Sequence, residues 1–322
     1  MQLTALIRMI TRLLRHYDVP VTHARIVARA IADAEARGIT SHGVRRLPNY
    51  VERLRAGAIN PRPQFHWQTT HRATAQLNAN HAFGQVATYY AAKRVMRMTR
   101  RYGIAAVGIH HCEHVGALDT TVRMLVAAQL ATLMLVNTPA AMAPLGGTVA
   151  ILGSNPIGIG IPGISEPLMI FDGATTTVSR GSIVAAAQHG TPIPIDWALD
   201  ADGRATSDAT MALAGALRPA GRLGYGVGLA IALLTGAMIG GTSDDQLPSF
   251  LQAPHHAVPT SVLLIGIDPN AFGGLHQLHA VGAPLLNRIR HSHGQPRIPG
   301  DARQQRILAP DVKAVIDALM PA

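Results

Sequence analysis

Over the first seventy residues, apolar positions recur every three or four residues, the period of helices that bury one face. The stretch "MQLTALIRMITRLLRHYDVP" is interrupted by Arg8, Arg12 and Arg15, so it predicts an amphipathic helix and not a secretory leader. In "VTHARIVARAIADAEARG", Ile26, Val27, Ala30, Ile31 and Ala34 share a face. Thr22 is the candidate N-cap and Gly38 the stop. A third helix is expected from Ser41, with Leu47, Tyr50, Val51 and Leu54 on one face and Pro48 in its early turns. Gly57 and "INPRP" end it.

From Gly103 the period changes. "GIAAVGIH", "LATLMLVN", "EPLMIFD" and "SVLLIGID" are short apolar runs bounded by polar residues or glycine, which predict buried strands. "TVRMLVAAQ" predicts a helix between the first two. After Ala280, "PLLNRIR" and "PDVKAVIDALM" return to the helical period. These elements predict an α+β fold: residues 1–72 with 275–322 form a helical domain from both chain ends, and residues 73–274 form a central mixed-sheet domain. Gly224 to Gly241 is uncharged and near membrane-spanning length. Its flanking glycines shorten the helical part to Val227–Ile239, the length of a buried core helix. No membrane partner is expected.

The chain has 322 residues, 48% of them hydrophobic, enough for a large core. Lys93 and Lys313 are the only lysines, so the formal charge of +10 is carried by arginine. The arginines are scattered along the sequence and only 4% of residues are aromatic, unlike the basic, aromatic-studded stripes that bind nucleic acid. An acidic small molecule suits the charge better. Cys112 is the sole cysteine, which excludes an intrachain disulfide and agrees with a cytoplasmic location.

Three motifs invite chemistry and do not carry it. Gly158 to Gly163, "GIGIPG", matches G-x-G-x-x-G, but Pro162 and a strand follow where the dinucleotide fingerprint needs a helix. It predicts a glycine-rich turn. His110 to His114, "HHCEH", predicts a loop after a strand. It has neither H-E-x-x-H nor the thiolates of a structural zinc site, so no metal is expected. No G-x-S-x-G elbow occurs.

Ser41 and His42 are more informative. Ser41 fits a helix N-cap, its purely structural role. His42 then lies in the first turn, where the macrodipole disfavours the imidazolium, and a neutral imidazole there can exchange a proton with an alkoxide. One turn on, Arg46 can hold a carboxylate through two parallel hydrogen bonds. A proton donor beside a carboxylate clamp is what reduction of a 2-oxo acid requires.

Seven stretches in order, from about Ala32 to Asp301, resemble the malate/L-lactate dehydrogenase-like oxidoreductases: "GITSHGVRRLPNYVERLRAGAINPRP", "HCEHVGA", "APLGG", "LGSNPIGIGIPG", "FDGATTTVSRG", "GTPIPIDWALDADGRATSD" and "GYGVGLAIALLTGAMIGG". The resemblance implies a non-Rossmann fold that binds NAD or NADP, a homodimer, and a small carboxylate substrate. Hydride would pass between NAD(P)H and a 2-oxo or 2-hydroxy acid, or, in the alternative, to a cyclic 2-carboxy imine. It implies His42 as acid/base with Ser41 beside it, Arg46 on the substrate carboxylate, and His114 as a second active-site histidine. For the cofactor it implies Thr138, Asp172 with Gly173, Ala174, Thr175 and Thr176, and Gly300 with Asp301. In "PAGRLGYG", one glycine shorter than the family's G-G-x-K-G turn, Leu223 or Arg222 stands at the place of the family's lysine, and the resemblance implies Arg222 as its replacement on the cofactor. Gly173, Thr176, Cys112 and Thr120 also depart from the family's residues. These departures leave open a weakened homologue that binds a metabolite without turnover.

Overall fold

The computed structural model describes residues 2–250, 253–301 and 311–320. Helix α1 (Leu3–His16) buries Leu6, Ile10, Leu13 and Leu14 and leaves Arg8, Arg12 and Arg15 exposed. α2 (Val21–Ala36) follows. Its N-cap is Pro20 and not Thr22, and no side chain caps it. Gly38, at φ +73°, ends it in the left-handed conformation that glycine adopts without strain.

α3 (Leu47–Arg55) starts six residues later than the sequence suggested. A helix running from Ser41 would carry Pro48 in its second turn, where proline removes a hydrogen bond and clashes with the preceding turn. Two single-turn 3₁₀ segments, Thr40–His42 and Val44–Arg46, therefore precede a fresh helix with proline at its start. Ser41 is consequently not a helix N-cap.

The sheet elements then run in order: β1 (His66–His71), β2 (Thr74–Ala82), α4 (Gly84–Tyr102), β3 (Ile104–Cys112), α5 (Leu118–Ala127) and β4 (Ala131–Val136). A hairpin of β5 (Ala140–Met142) and β6 (Leu152–Gly153) leads to β7 (Ile157–Ile161) and β8 (Met169–Gly173). Next come α6 (Arg180–Gln188), β9 (Ala198–Leu199), β10 (Ala205–Thr206), α7 (Ala209–Ala214) and α8 (Gly221–Ala232). β11 (Thr260–Ile267), α9 (Gly274–Arg290) and α10 (Asp311–Leu319) complete the chain.

Seven strands form one mixed sheet in the order β1-β2-β3-β11-β4-β7-β8. β2 and β3 are parallel and the other neighbours are antiparallel. β11, late in the chain, fills the centre. Its alternate residues serve both faces: Val262 and Leu264 pack with α4 and α5, and Leu263 packs with Ile231 of α8. The four strands read from apolar runs correspond to β3, β4, β8 and β11. α10 places Val312 and Ile316 in one cluster with the buried faces of α1, α2 and α3.

Three local expectations are corrected. Gly158–Gly163 is mostly strand, because the glycines of β7 let α5 pack closely: a Cβ on Gly160 would lie 2.4 Å from Val126. His110 and His111 belong to β3, which runs to Cys112, so only Glu113 and His114 of that motif lie in the following loop. The Gly224–Gly241 helix is not wholly buried. It starts at Gly221, presses Gly224 and Gly228 against Thr175, and leaves Leu223, Leu229 and Leu233 exposed. The small residues are what allow the close contact, so the large ones point away from it.

Candidate active site

Four of the residues singled out in the sequence meet where the 3₁₀ turns before α3 face the loop after β3. The turn is held from below. Buried Glu35 at the end of α2 accepts a hydrogen bond from the Val44 amide at 2.9 Å, and Gly43 has no Cβ to obstruct that carboxylate. Above it, Gly84 opens α4 and lets residues 113–115 cross the helix start. A Cβ there would lie 2.3 Å from the Glu113 carbonyl oxygen.

The imidazoles of His42 and His114 stack with centroids 5.5 Å apart and planes 16° from parallel. The Phe250 ring meets His114 edge-on at 5.1 Å. Ser41 Oγ lies 2.9 Å from His42 Nδ1. A hydroxyl can donate or accept, so His42 is free to exchange tautomers. His114 is more constrained. The Gly116 amide donates to its Nδ1 at 3.3 Å, and Tyr50 Oη lies 2.8 Å from the same atom, itself accepting from Gln85 Nε2 at 2.8 Å. An Nδ1 that accepts leaves the neutral ring protonated at Nε2.

Both rings are neutral at pH 7. Burial, and then the charge of Arg46, lower the His42 pKa to about 4. His114 is lowered well below its ordinary value, chiefly by burial, then by Arg46, His42 and Arg53. Arg46 donates from Nε to the Ser41 carbonyl at 2.7 Å, and among the described residues no carboxylate pairs with it. A half-buried guanidinium without a counter-ion, beside two neutral imidazoles, is an anion site with proton-transfer groups at its edge.

A buried ion pair sets the back of the site. Arg53 and Glu113, each 1% exposed, meet at 2.5 Å. Glu113 also accepts from the Val258 amide, and Arg53 donates to the His256 carbonyl, so the pair ties α3 to the segment before β11. Sequence reasoning missed Gln85, Arg53, Glu113 and Phe250, and read Tyr50 as core only. The signal for Tyr50 was its hydroxyl, which needs a partner when buried.

Of the remaining candidates, Thr138 and Thr175 are joined through Ser154 into one ledge. The Thr138 amide donates to Asn155 Oδ1, and Thr138 Oγ1 lies 3.4 Å from Ser154 Oγ. Thr175 donates to the Ser154 carbonyl, and the Ala220 amide donates to the Thr175 carbonyl, two residues before exposed Arg222. Thr176 is buried and bonds the Val178 carbonyl; Gly173 and Ala174 are half-buried. Asp172 accepts from the Asp119 amide at the start of α5, and burial pushes its carboxyl up to about 6. Gly300 abuts Ile170 of the same strand, while Asp301 is paired with Arg290 at 2.6 Å. The ledge reaches the histidines through α6: a Cβ on Gly181 would lie 3.2 Å from Ser41 Cβ. His110 and His111 touch through their Nδ1 atoms, but among the described residues no group of three ligands could hold a metal.

Comparison with known proteins gives the class of a chain that sets this arginine beside two neutral imidazoles. The malate/L-lactate dehydrogenase family model matches residues 1–313. L-Sulfolactate dehydrogenase of Methanothermobacter thermautotrophicus is 32% identical over 302 residues, covering 94% of this chain and 88% of that one. Delta(1)-pyrroline-2-carboxylate reductase of Ancylobacter novellus is 33% identical over 285 residues, covering 88% and 84%. The structure of sulfolactate dehydrogenase from Methanocaldococcus jannaschii superposes with a TM-score of 0.90 at 28% identity, over 99% of this chain and 95% of that one. Relatives differ in cofactor: a (2R)-3-sulfolactate dehydrogenase of Chromohalobacter salexigens takes NADP(+), and a ureidoglycolate dehydrogenase of Escherichia coli takes NAD(+). The chain is thus an NAD(P)-dependent dehydrogenase or reductase by class, and it belongs to the malate/L-lactate dehydrogenase family.

Proposed function

We propose that this enzyme moves hydride reversibly between a nicotinamide cofactor, NAD or NADP, and the C2 carbon of a small 2-oxo or 2-hydroxy acid. The observation that carries this is Arg46, without a carboxylate partner, beside the neutral His42–His114 pair. A cyclic 2-carboxy imine presents the same carboxylate next to a C=N carbon, and the reductase relative keeps it as the alternative acceptor.

The residues present fit the cofactor. The start of α5 is already capped by Asp172, so no pyrophosphate is assigned there. The ledge offers hydroxyls at Thr138 and Ser154, small Gly173 and Ala174, and an exposed guanidinium at Arg222, a donor set suited to a ribose, a flat ring and a phosphate. This is a non-Rossmann way of holding the group, because the G-x-G-x-x-G sequence lies on β7 and packs against α5. When bound, the nicotinamide supplies or accepts the hydride.

The side chains do the rest. Arg46 grips the carboxylate and fixes the C2 oxygen toward the imidazoles. In oxidation, neutral His42, whose Nδ1–H donates to Ser41 Oγ, takes the hydroxyl proton at Nε2. His114, protonated at Nε2 by its Tyr50 and Gly116 contacts, donates a hydrogen bond to the developing alkoxide. In reduction His42 returns the proton.

Arg46→Lys keeps the charge but loses the two-pronged grip. It is expected to raise KM for the acid by about tenfold, the effect of losing about 1.4 kcal/mol, with cofactor affinity unchanged. Initial-rate measurements check this; an unchanged KM removes Arg46 from the substrate.

The pH dependence follows from the lowered imidazoles. The base must be neutral, and His42 stays neutral down to about 4. The kcat/KM for oxidation is therefore expected to fall toward acid near pH 4, not near the ordinary histidine value. A bound carboxylate offsets the Arg46 charge, so the acid limb of kcat should lie at higher pH than that of kcat/KM. Coincident limbs near 6.5 would contradict the assignment.

We also assign the exposed apolar residues Leu223 and Leu229 of α8, with Leu233 just after it, to contact with a second copy, consistent with a homodimer. Light scattering is expected to give twice the chain mass; a monomer at micromolar concentration contradicts it. Among the described residues no helix is long and apolar enough to cross a membrane.

A further inference from the structure

Behind the active site, α2, α4 and α5 enclose a cavity of about 530 Å³. Its residues grade from wet to dry. Arg25, Arg29 and Lys93 stand exposed at the rim, and Tyr89, Tyr90 and Met124 form half-buried walls. Gln85, only 6% exposed, lines the floor. Its Nε2 is committed to Tyr50 Oη, but its Oε1 is buried with no hydrogen-bond partner among the described residues. A buried acceptor without a donor costs on the order of 1–3 kcal/mol, so a ligand that supplies one gains by doing so.

The rim is one edge of a larger basic field. Arg25 and Arg29 also line an adjoining groove with Arg8, Arg12 and Arg15, and among the described residues no acidic side chain lines that groove. The arginines scattered through the sequence are gathered here by the pairing of α1 with α2. Among the described residues Asp33 is the one acid of the cavity, and burial raises its pKa. The field draws anions to the mouth.

We propose that this cavity is a second binding site, distinct from Arg46, for a small acid with an apolar body and a hydrogen-bond donor remote from its carboxylate. The carboxylate meets Arg25 and Arg29, the body lies along Tyr89 and Met124, and the donor satisfies Gln85 Oε1. Because the same amide positions Tyr50, and Tyr50 positions His114, occupancy changes turnover. That second clause rests on the role given to His114 above; the binding does not.

4-Hydroxybenzoate is a suitable probe, with benzoate lacking the donor and phenol lacking the charge. Calorimetry is expected to show one molecule of 4-hydroxybenzoate per chain, and benzoate weaker by about tenfold, equivalent to about 1.4 kcal/mol. Met124→Trp fills the cavity and should abolish binding. Arg25→Ala with Arg29→Ala, both on exposed helix surface, should weaken it at least about tenfold through loss of charge-assisted bonds. Neither change touches the catalytic groups, so turnover without probe should persist in both. Saturating probe should shift the acid limb of kcat in the unmodified enzyme and leave Met124→Trp unaffected. Absence of heat at millimolar probe overturns the site. So does equal binding by the unmodified and Met124→Trp chains, which places the probe at Arg46. Binding without any change in the pH profile overturns the link through Gln85. The calorimetry stands whether or not the chain turns over a 2-oxo acid, so the two accounts fail separately.

Discussion

His42→Ala is expected to lower kcat by about 10²–10⁴-fold, the usual contribution of a positioned proton donor or acceptor. Cofactor affinity should be unchanged, because among the described residues the His42 ring bonds Ser41 and stacks on His114, neither of which holds the cofactor in this account. His114→Ala is the necessary comparison. His114 Nδ1 accepts from the Gly116 amide, which holds its Nε2 as a donor, so its loss removes stabilisation of the alkoxide without removing the base. The two variants should therefore differ in pH profile as well as in size. The acid limb should vanish in His42→Ala and persist, at lower rate, in His114→Ala. Full activity in His42→Ala, with none in His114→Ala, would reverse the roles. Ser41→Ala separates orientation from stability. Since Ser41 caps no helix here, its loss should slow turnover without the stability cost of about 1 kcal/mol that a lost cap brings.

The second large effect is on folding. Glu113→Gln leaves the Arg53 guanidinium buried without a counter-charge, and breaking such a pair costs about 3–5 kcal/mol. The urea midpoint should drop with an unchanged slope. Replacing both partners by leucine should recover most of the loss, because a buried pair and an apolar pair are often nearly equal in stability. If Glu113→Gln alone is neutral, the pair does not hold α3 to the segment before β11. Activity separates the two scales: the double variant should fold yet turn over slowly, since Glu113 precedes His114 in the loop that presents it.

The sequence made some of this legible for definite physical reasons. β3, β4 and β11 are apolar runs because the middle of the sheet is covered on both faces, and such strands announce themselves without alternation; β8, at the edge, carries a shorter run. β1 and β2 lie at one end of the sheet, and their mixed composition, "HWQTTH" and "TAQLNANHA", gives no comparable run; nor was α4, between β2 and β3, anticipated. His42, Arg46 and Ser41 were readable because they are near neighbours in the chain. Tyr50, Gln85 and Glu113 were not, since their roles arise only when α3, α4 and the loop after β3 converge. The misplacement of Ser41 as a cap came from underrating Pro48, whose position dictates where α3 can begin. Similarly, "GIGIPG" and Gly224–Gly241 were read by composition. Their glycines answer to what lies against them, α5 in one case and Thr175 in the other.

The central claim is that hydride reaches the C2 carbon of a carboxylate-bearing substrate held by Arg46. Deuterium transfer tests it most directly. The enzyme would be incubated with NADH and NADPH deuterated at C4 of the nicotinamide, together with pyruvate, oxaloacetate or a cyclic 2-carboxy imine, and the product analysed by proton NMR. The account predicts deuterium at C2 of at least one product, and loss of that label in Arg46→Ala at equal protein concentration. Oxidation of neither cofactor with any of these acids, or label transfer that Arg46→Ala leaves intact, would contradict it.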